Sequence, residues 1–112
     1  MASLGDLERS VMTLLWDSGQ PLSANEVCEQ LDDDLAVTTV LTVLARLEKK
    51  GMVQRERSSR PHRYAAMATR EEHTVEMLNE VLGTAPDREA VLARFIGGVS
   101  DSEAASLRRI LG

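Results

Sequence analysis

The sequence predicts a mainly α protein in which three helices, a two-stranded hairpin and three further helices follow one another. Three observations predict it. Apolar residues recur at helical spacing in six separate stretches. Ser/Thr-x-x-Glu boxes at Ser23–Glu26, Thr69–Glu72 and Ser100–Glu103 mark helix starts. Between Met52 and Ala66 the pattern changes to two short extended runs around Ser58-Ser59-Arg60-Pro61, which is turn chemistry.

The first helix is expected over Leu4–Ser18. Leu7, Val11, Leu14 and Leu15 lie on one face, which Met12 and Trp16 widen. Asp6 and Glu8 suit the positive end of the helix dipole, and Gly19 suits its stop. Trp16 is expected in the core. Pro21-Leu22 reads as a short extended link. The Ser23 box then opens a short helix to about Leu31, with Val27, Cys28 and Leu31 inward. Cys28 is expected to act as a small buried hydrophobe, and Asp32-Asp33-Asp34 to form a solvated turn.

The third helix runs from Val37 to Lys50 and stops at Gly51. Val40, Leu41, Val43, Leu44 and Leu47 supply its apolar side, and Thr38, Thr39, Thr42, Arg46 and Lys49 its polar side. β-Branched residues are mediocre helix formers, so the threonines need a justification other than propensity. The hairpin follows, from Met52 to Arg57 and from His62 to Ala66, with Tyr64 inward and a basic tip. Thr69 opens a helix to about Leu82, ended by Gly83. Pro86 suits the first turn of the next helix, which reaches Gly97-Gly98, and Ser100 opens the last. This order is that of a winged helix-turn-helix over residues 1–67. The helices of residues 68–112 carry apolar stripes with little chain to cover them. A dimerisation domain is therefore expected there, with Val75, Leu78, Leu82, Val91, Phe95, Leu107, Ile110 and Leu111 at the interface.

With Trp16, Tyr64 and Phe95 the only aromatics among 112 residues, the core must be aliphatic. No apolar run approaches the roughly 18 residues needed to span a membrane. The first six residues lack the marks of a signal peptide, so a cytoplasmic protein without a membrane partner is expected. Cys28 is the sole cysteine, which excludes an intramolecular disulfide. His62, His73 and Cys28 form no known metal-ligand spacing, and there is no Gly-rich phosphate loop. Neither an enzyme nor a cofactor is expected. His73, beside Glu71 and Glu72, is expected at the surface.

The net charge is −5, yet Arg46–Arg63 holds seven basic residues against two acids. Local field matters more than the total at a docking face. A threonine hydroxyl can bond a phosphate or a base edge, and its methyl can touch that of thymine. Thr38, Thr39, Thr42, Arg46 and Lys49 are therefore candidate contacts to double-stranded DNA. Ser23, at a helix N-terminus, is a candidate phosphate site, and Arg60, His62 and Arg63 near the wing tip could track the backbone. Two other readings stand beside this one. A winged helix can serve protein–protein contact, although such a version would more often expose apolar residues on its third helix. A ligand-responsive regulator could carry a pocket near the dimer interface.

Leu4-Gly5-Asp6-Leu7-Glu8, Ser23-Ala24-Asn25-Glu26-Val27, Thr38 to Leu44 with Arg46-Leu47 and Lys50-Gly51, and Arg60 to Tyr64 together resemble the BlaI/MecI penicillinase-repressor family, its actinobacterial branch most. The resemblance covers nearly the whole chain. It implies a homodimeric transcriptional repressor that binds a palindromic operator overlapping a promoter. Thr38, Thr39, Thr42 and Arg46 match the recognition-helix positions, and Arg60 and His62 the wing. Members that respond to β-lactams are inactivated when a sensor-linked protease pathway cuts an Asn-Phe bond. Here Arg94 replaces that Asn and Phe95 is kept, so Arg94–Phe95 is the candidate bond. Relatives that respond to copper carry a cysteine-rich tail. With Cys28 alone, copper sensing by that route is not expected.

Overall fold

The computed structural model describes residues 4–31 and 34–112, so Asp32 and Asp33 of the acidic run lie outside the described residues. In chain order the elements are α1 (Asp6–Ser18), β1 (Leu22–Ser23), α2 (Ala24–Gln30), α3 (Val37–Lys49), β2 (Val53–Glu56), β3 (Arg63–Ala66), α4 (Arg70–Gly83), α5 (Arg88–Gly97) and α6 (Asp101–Leu111). The fold is mainly helical, with one small antiparallel sheet.

The sheet has three strands in the order β1-β3-β2. The expected two-stranded hairpin is thus incomplete, because the Pro21-Leu22 link contributes a strand of its own. Leu22 pairs with Tyr64 and Ser23 with Arg63, while Arg55 faces Tyr64 from the other side. Two residues are too few to display an alternating pattern, so sequence periodicity has no means of detecting β1.

One aliphatic core holds α1–α3 and the sheet together. Val11, Met12, Leu15, Val27, Val40, Val43, Leu44, Leu47, Val53 and Tyr64 are all buried in it. Leu41 is not among them: it is 43% exposed. Each helical residue turns about 100° from the last, so Leu41 points well away from the direction Val40 and Leu44 share. Trp16 is half-buried at the edge of the core. Its Nε1–H donates to the Ala68 carbonyl at 2.9 Å, and the Arg70 guanidinium lies 5.4 Å from its ring centroid. Arg70 also bonds Asp17 at 2.7 Å. His73 is buried, not at the surface, with its ring centroid 5.6 Å from that of Trp16. The first turn of α4 is pinned to α1 by this cluster, which a reading of neighbouring charges alone does not reveal.

Helix ends follow the sequence closely. All three Ser/Thr-x-x-Glu boxes close, each with reciprocal bonds of 2.9–3.2 Å. Gly19 takes a left-handed conformation after α1, and Gly51 does so after α3, at φ +78°. There the Met52 N–H reaches back to the Leu47 carbonyl at 2.9 Å, and this turn sends the chain straight into β2. Pro86 lies before the α5 cap rather than in its first turn, because Asp87 takes the cap position and accepts from the Ala90 N–H.

The contacts gather into two compact units that divide within α4, one reaching to Thr74 and the other covering Val75–Gly112. In the second unit no residue is buried. Phe95, Ile110 and Leu111 are 63%, 78% and 82% exposed. No helix among the described residues is long and apolar enough to cross a membrane.

One ion pair ties α1 to the end of α3. Lys50 Nζ lies 2.9 Å from both oxygens of the buried Glu8 carboxylate, which also accepts the Gly5 N–H at 2.9 Å. The Lys50 bond, and after it the Gly5 amide, hold the Glu8 carboxyl below its ordinary range. Its stabilising effect is fully present above that ordinary range and is lost as pH falls through the depressed value. Glu8→Gln should cost roughly 1–3 kcal/mol at neutral pH. Urea unfolding should show that difference shrinking as the solution is acidified, and a gap independent of pH would contradict the assignment.

Candidate nucleic-acid interface

The packing of α3 sorts its residues. Val40, Val43, Leu44 and Leu47 face the core, and Thr38, Thr39, Thr42, Arg46 and Lys49 are all exposed on the other side. The Thr42 hydroxyl donates to the Thr38 carbonyl at 3.0 Å, which leaves its oxygen to act as an acceptor. No side chain caps the start of α3, because Ala36 holds the cap position, and its first turn carries no acid. The positive end of the helix dipole is therefore not neutralised locally, which suits an approaching anion.

The basic stretch divides into paired and unpaired groups. Lys50 is taken by Glu8. Arg55 and Arg57 share Glu48, at 3.7 and 3.6 Å. Arg63 sits 3.2 Å from Glu26 Oε1, the same oxygen that accepts the Ser23 N–H. Arg46, Lys49 and Arg60 have no carboxylate of a described residue within ion-pair distance, although the Arg46 charge adds slightly to the lowering of the Glu8 carboxyl. Two of these free cations lie on the outer face of α3 and the third in the wing loop. Fewer cations are unpaired than the sequence charge count implies, and two of them, Arg46 and Lys49, share the exposed side of α3 with the threonines.

Ser23 and Arg63 are placed differently from the exposed group. Ser23 is buried, and its hydroxyl accepts the Glu26 N–H at 3.2 Å. Glu26 is held below its ordinary carboxylate range chiefly by the Ser23 backbone amide, then by the Ser23 hydroxyl, with Arg63 adding to both. Ser23, Glu26 and Arg63 form one closed group that fixes the start of α2 against β3. His62 is half-buried beside a cleft of about 240 Å³, lined also by Ala24, Asn25, Val37, Leu41, Arg55, Pro61 and Tyr64. Asn25 and Leu41 are exposed at this cleft, between α3 and the base of the wing. The sequence reading missed both. Leu41 could have been found by turning the helix, since it follows the buried Val40 directly; Asn25 carries no such signal.

Among the described residues no group of three or more His, Cys, Asp and Glu side chains could hold a metal ion. The Cys28 thiol is half-buried and donates to the Leu35 carbonyl at 3.0 Å.

A helix-turn-helix whose second helix is polar outward, followed by a wing with a free cation, defines a winged-helix transcriptional regulator. Two solved structures share the fold. The structure of a MarR family protein from Bacillus stearothermophilus superposes with a TM-score of 0.55 at 23% identity, over 98% of this chain and 71% of that one. YusO from Bacillus subtilis gives 0.52 at 19%, over 96% and 72%. By sequence, residues 4–112 match the penicillinase repressor family. The transcriptional regulator BlaI from two strains of Mycobacterium tuberculosis is 43% identical over 99% of this chain and 84% of its own length. The chain belongs to the penicillinase repressor family.

Ser23→Ala should act on folding rather than on recognition. It should lower stability by about 1 kcal/mol, as the loss of a helix cap does, measurable by thermal unfolding. DNA affinity at temperatures where the variant is folded should be unchanged, and a large loss there would make Ser23 a direct contact.

Proposed function

We propose that the protein is a homodimeric repressor that binds a palindromic operator in promoter DNA and has no catalytic activity. The observation that carries this reading is that Arg46 and Lys49, outside any ion pair, share the exposed side of α3 with Thr38, Thr39 and Thr42, with Arg60 exposed in the wing loop. The winged-helix part, residues 1–67, contacts DNA, with α3 in the major groove, Arg60 and His62 near the backbone, and Arg63 bracing β3 against the start of α2. Leu41 and the threonine methyls offer apolar contact to thymine methyls. The bound dimer blocks polymerase, and its place of action is the cytoplasm.

Residues 68–112 form the dimerisation domain in this reading. Within it, Val75–Gly112 has no buried residue and so no core of its own, and a second copy would supply one. A groove of about 660 Å³ along Ile96, Val99, Ala104, Leu107 and Leu111 is the natural place for partner side chains. Val75, Leu78, Leu82, Val91, Phe95 and Ile110 extend the apolar surface. A sensor-linked protease cutting Arg94–Phe95 would relieve repression. That bond lies inside the ten-residue α5. Proteolysis there requires α5 to unwind locally, and short helices are marginal without tertiary support.

A gel-shift series on the protein's own promoter DNA tests the DNA contact. Log affinity should fall with log salt, by about 0.9 for each phosphate contacted. Arg46→Ala should cost about 1–3 kcal/mol and relax preference at one base position. A uniform loss over all sequences would instead assign Arg46 to the backbone. Leu107→Asp should shift the protein toward monomer in sedimentation velocity and weaken operator binding with it; an unaltered dimer would reject this interface.

A further inference from the structure

Glu48 stands out among the acids of the winged-helix unit. It lies in the last turn of α3, on the same helix as Arg46 and Lys49, yet its carboxylate faces β2. A single oxygen, Oε2, serves both Arg55 Nε at 3.7 Å and Arg57 Nη2 at 3.6 Å. Both distances exceed a hydrogen bond, so the carboxylate balances the two charges without fixing either in a hydrogen-bonded geometry. Arg55 Nε is buried and makes no hydrogen bond among the described residues. The Arg57 side chain is 64% exposed, so Glu48 is its one charged partner among the described residues and no packing would keep it from another anion once that carboxylate is neutralised.

We propose that Glu48 is a specificity-determining residue: it stands in for a phosphate and holds Arg55 and Arg57 away from the DNA backbone. A phosphate contact adds affinity for every sequence and carries no sequence information. Two restrained arginines therefore keep non-operator binding weak, while Arg46, Lys49 and the threonines remain available to the operator. The inference rests on the DNA-binding reading above, and adds that the wing's positive charge is limited by this chain's own carboxylate.

The test compares the wild-type protein, Glu48→Gln, Arg57→Ala and the double variant. Each is titrated by fluorescence anisotropy against a labelled mixed-sequence duplex and a promoter fragment over a salt series. Glu48→Gln should steepen the slope of log affinity against log salt by about 0.9 if one arginine reaches a phosphate, or about 1.8 if both do. Its affinity for mixed-sequence DNA should rise more than that for the promoter fragment. Adding Arg57→Ala should remove about 0.9 of the gained slope. Arg57→Ala alone should leave the wild-type slope in place; it alters an exposed side chain and serves even if Glu48→Gln fails to fold. Equal slopes for folded wild type and Glu48→Gln would overturn the proposal, as would a shallower slope for Arg57→Ala alone. Wild-type protein with no salt-dependent binding to either DNA would sink the DNA-binding reading itself, and this inference with it.

Discussion

A helix that buries Val40, Val43, Leu44 and Leu47 in one core has to send Thr38, Thr39, Thr42, Arg46 and Lys49 to solvent. The rest of the site depends on that constraint. α3 is rich in β-branched residues and would be a poor helix alone. Contact with α1, α2 and β2 holds it, so its outer face is as well determined as the core beneath. Gly51 and the Met52–Leu47 bond then fix where the wing leaves the helix, which puts Arg60 on the chain that follows this exposed face directly.

Electrostatics refine what packing positions. Glu8, Glu26 and Glu48 each engage basic side chains that a count along the sequence would credit to the DNA face. Lys50 joins α1 to the end of α3, Arg63 joins β3 to the start of α2, and Arg55 in β2 and Arg57 just after it join the wing to α3. Four of the seven cations between Arg46 and Arg63 thus serve within the fold. An acidic protein can present a small positive surface in this way, since a site's field depends on which charges lack a nearby opposite.

The helices and their caps were legible in the sequence because they rest on local rules. Ser23, Thr69 and Ser100 each bond the amide three residues on, as the spacing to Glu26, Glu72 and Glu103 implied. What depends on contacts distant in sequence was not legible. β1 exists only because Leu22 and Ser23 meet Tyr64 and Arg63. His73 is buried only because α4 starts against Trp16. The pairing of Arg63 with Glu26 spans a gap that no periodicity crosses. Leu41 is the intermediate case: helix geometry alone places it off the apolar stripe, but its hydrophobicity invited a core assignment. The helices beyond Thr74 were legible as amphipathic, and that none of their residues is fully buried gives that observation its weight.

Hydroxyl-radical footprinting of the protein on its own promoter DNA tests the central claim most directly. Two α3 helices of a symmetric dimer should protect two patches related by a dyad, their centres one helical turn or a whole multiple apart. Arg46→Ala should weaken both patches together. Protection of a single patch, or of none at protein concentrations that saturate the gel shift, would contradict a dimer reading DNA through α3.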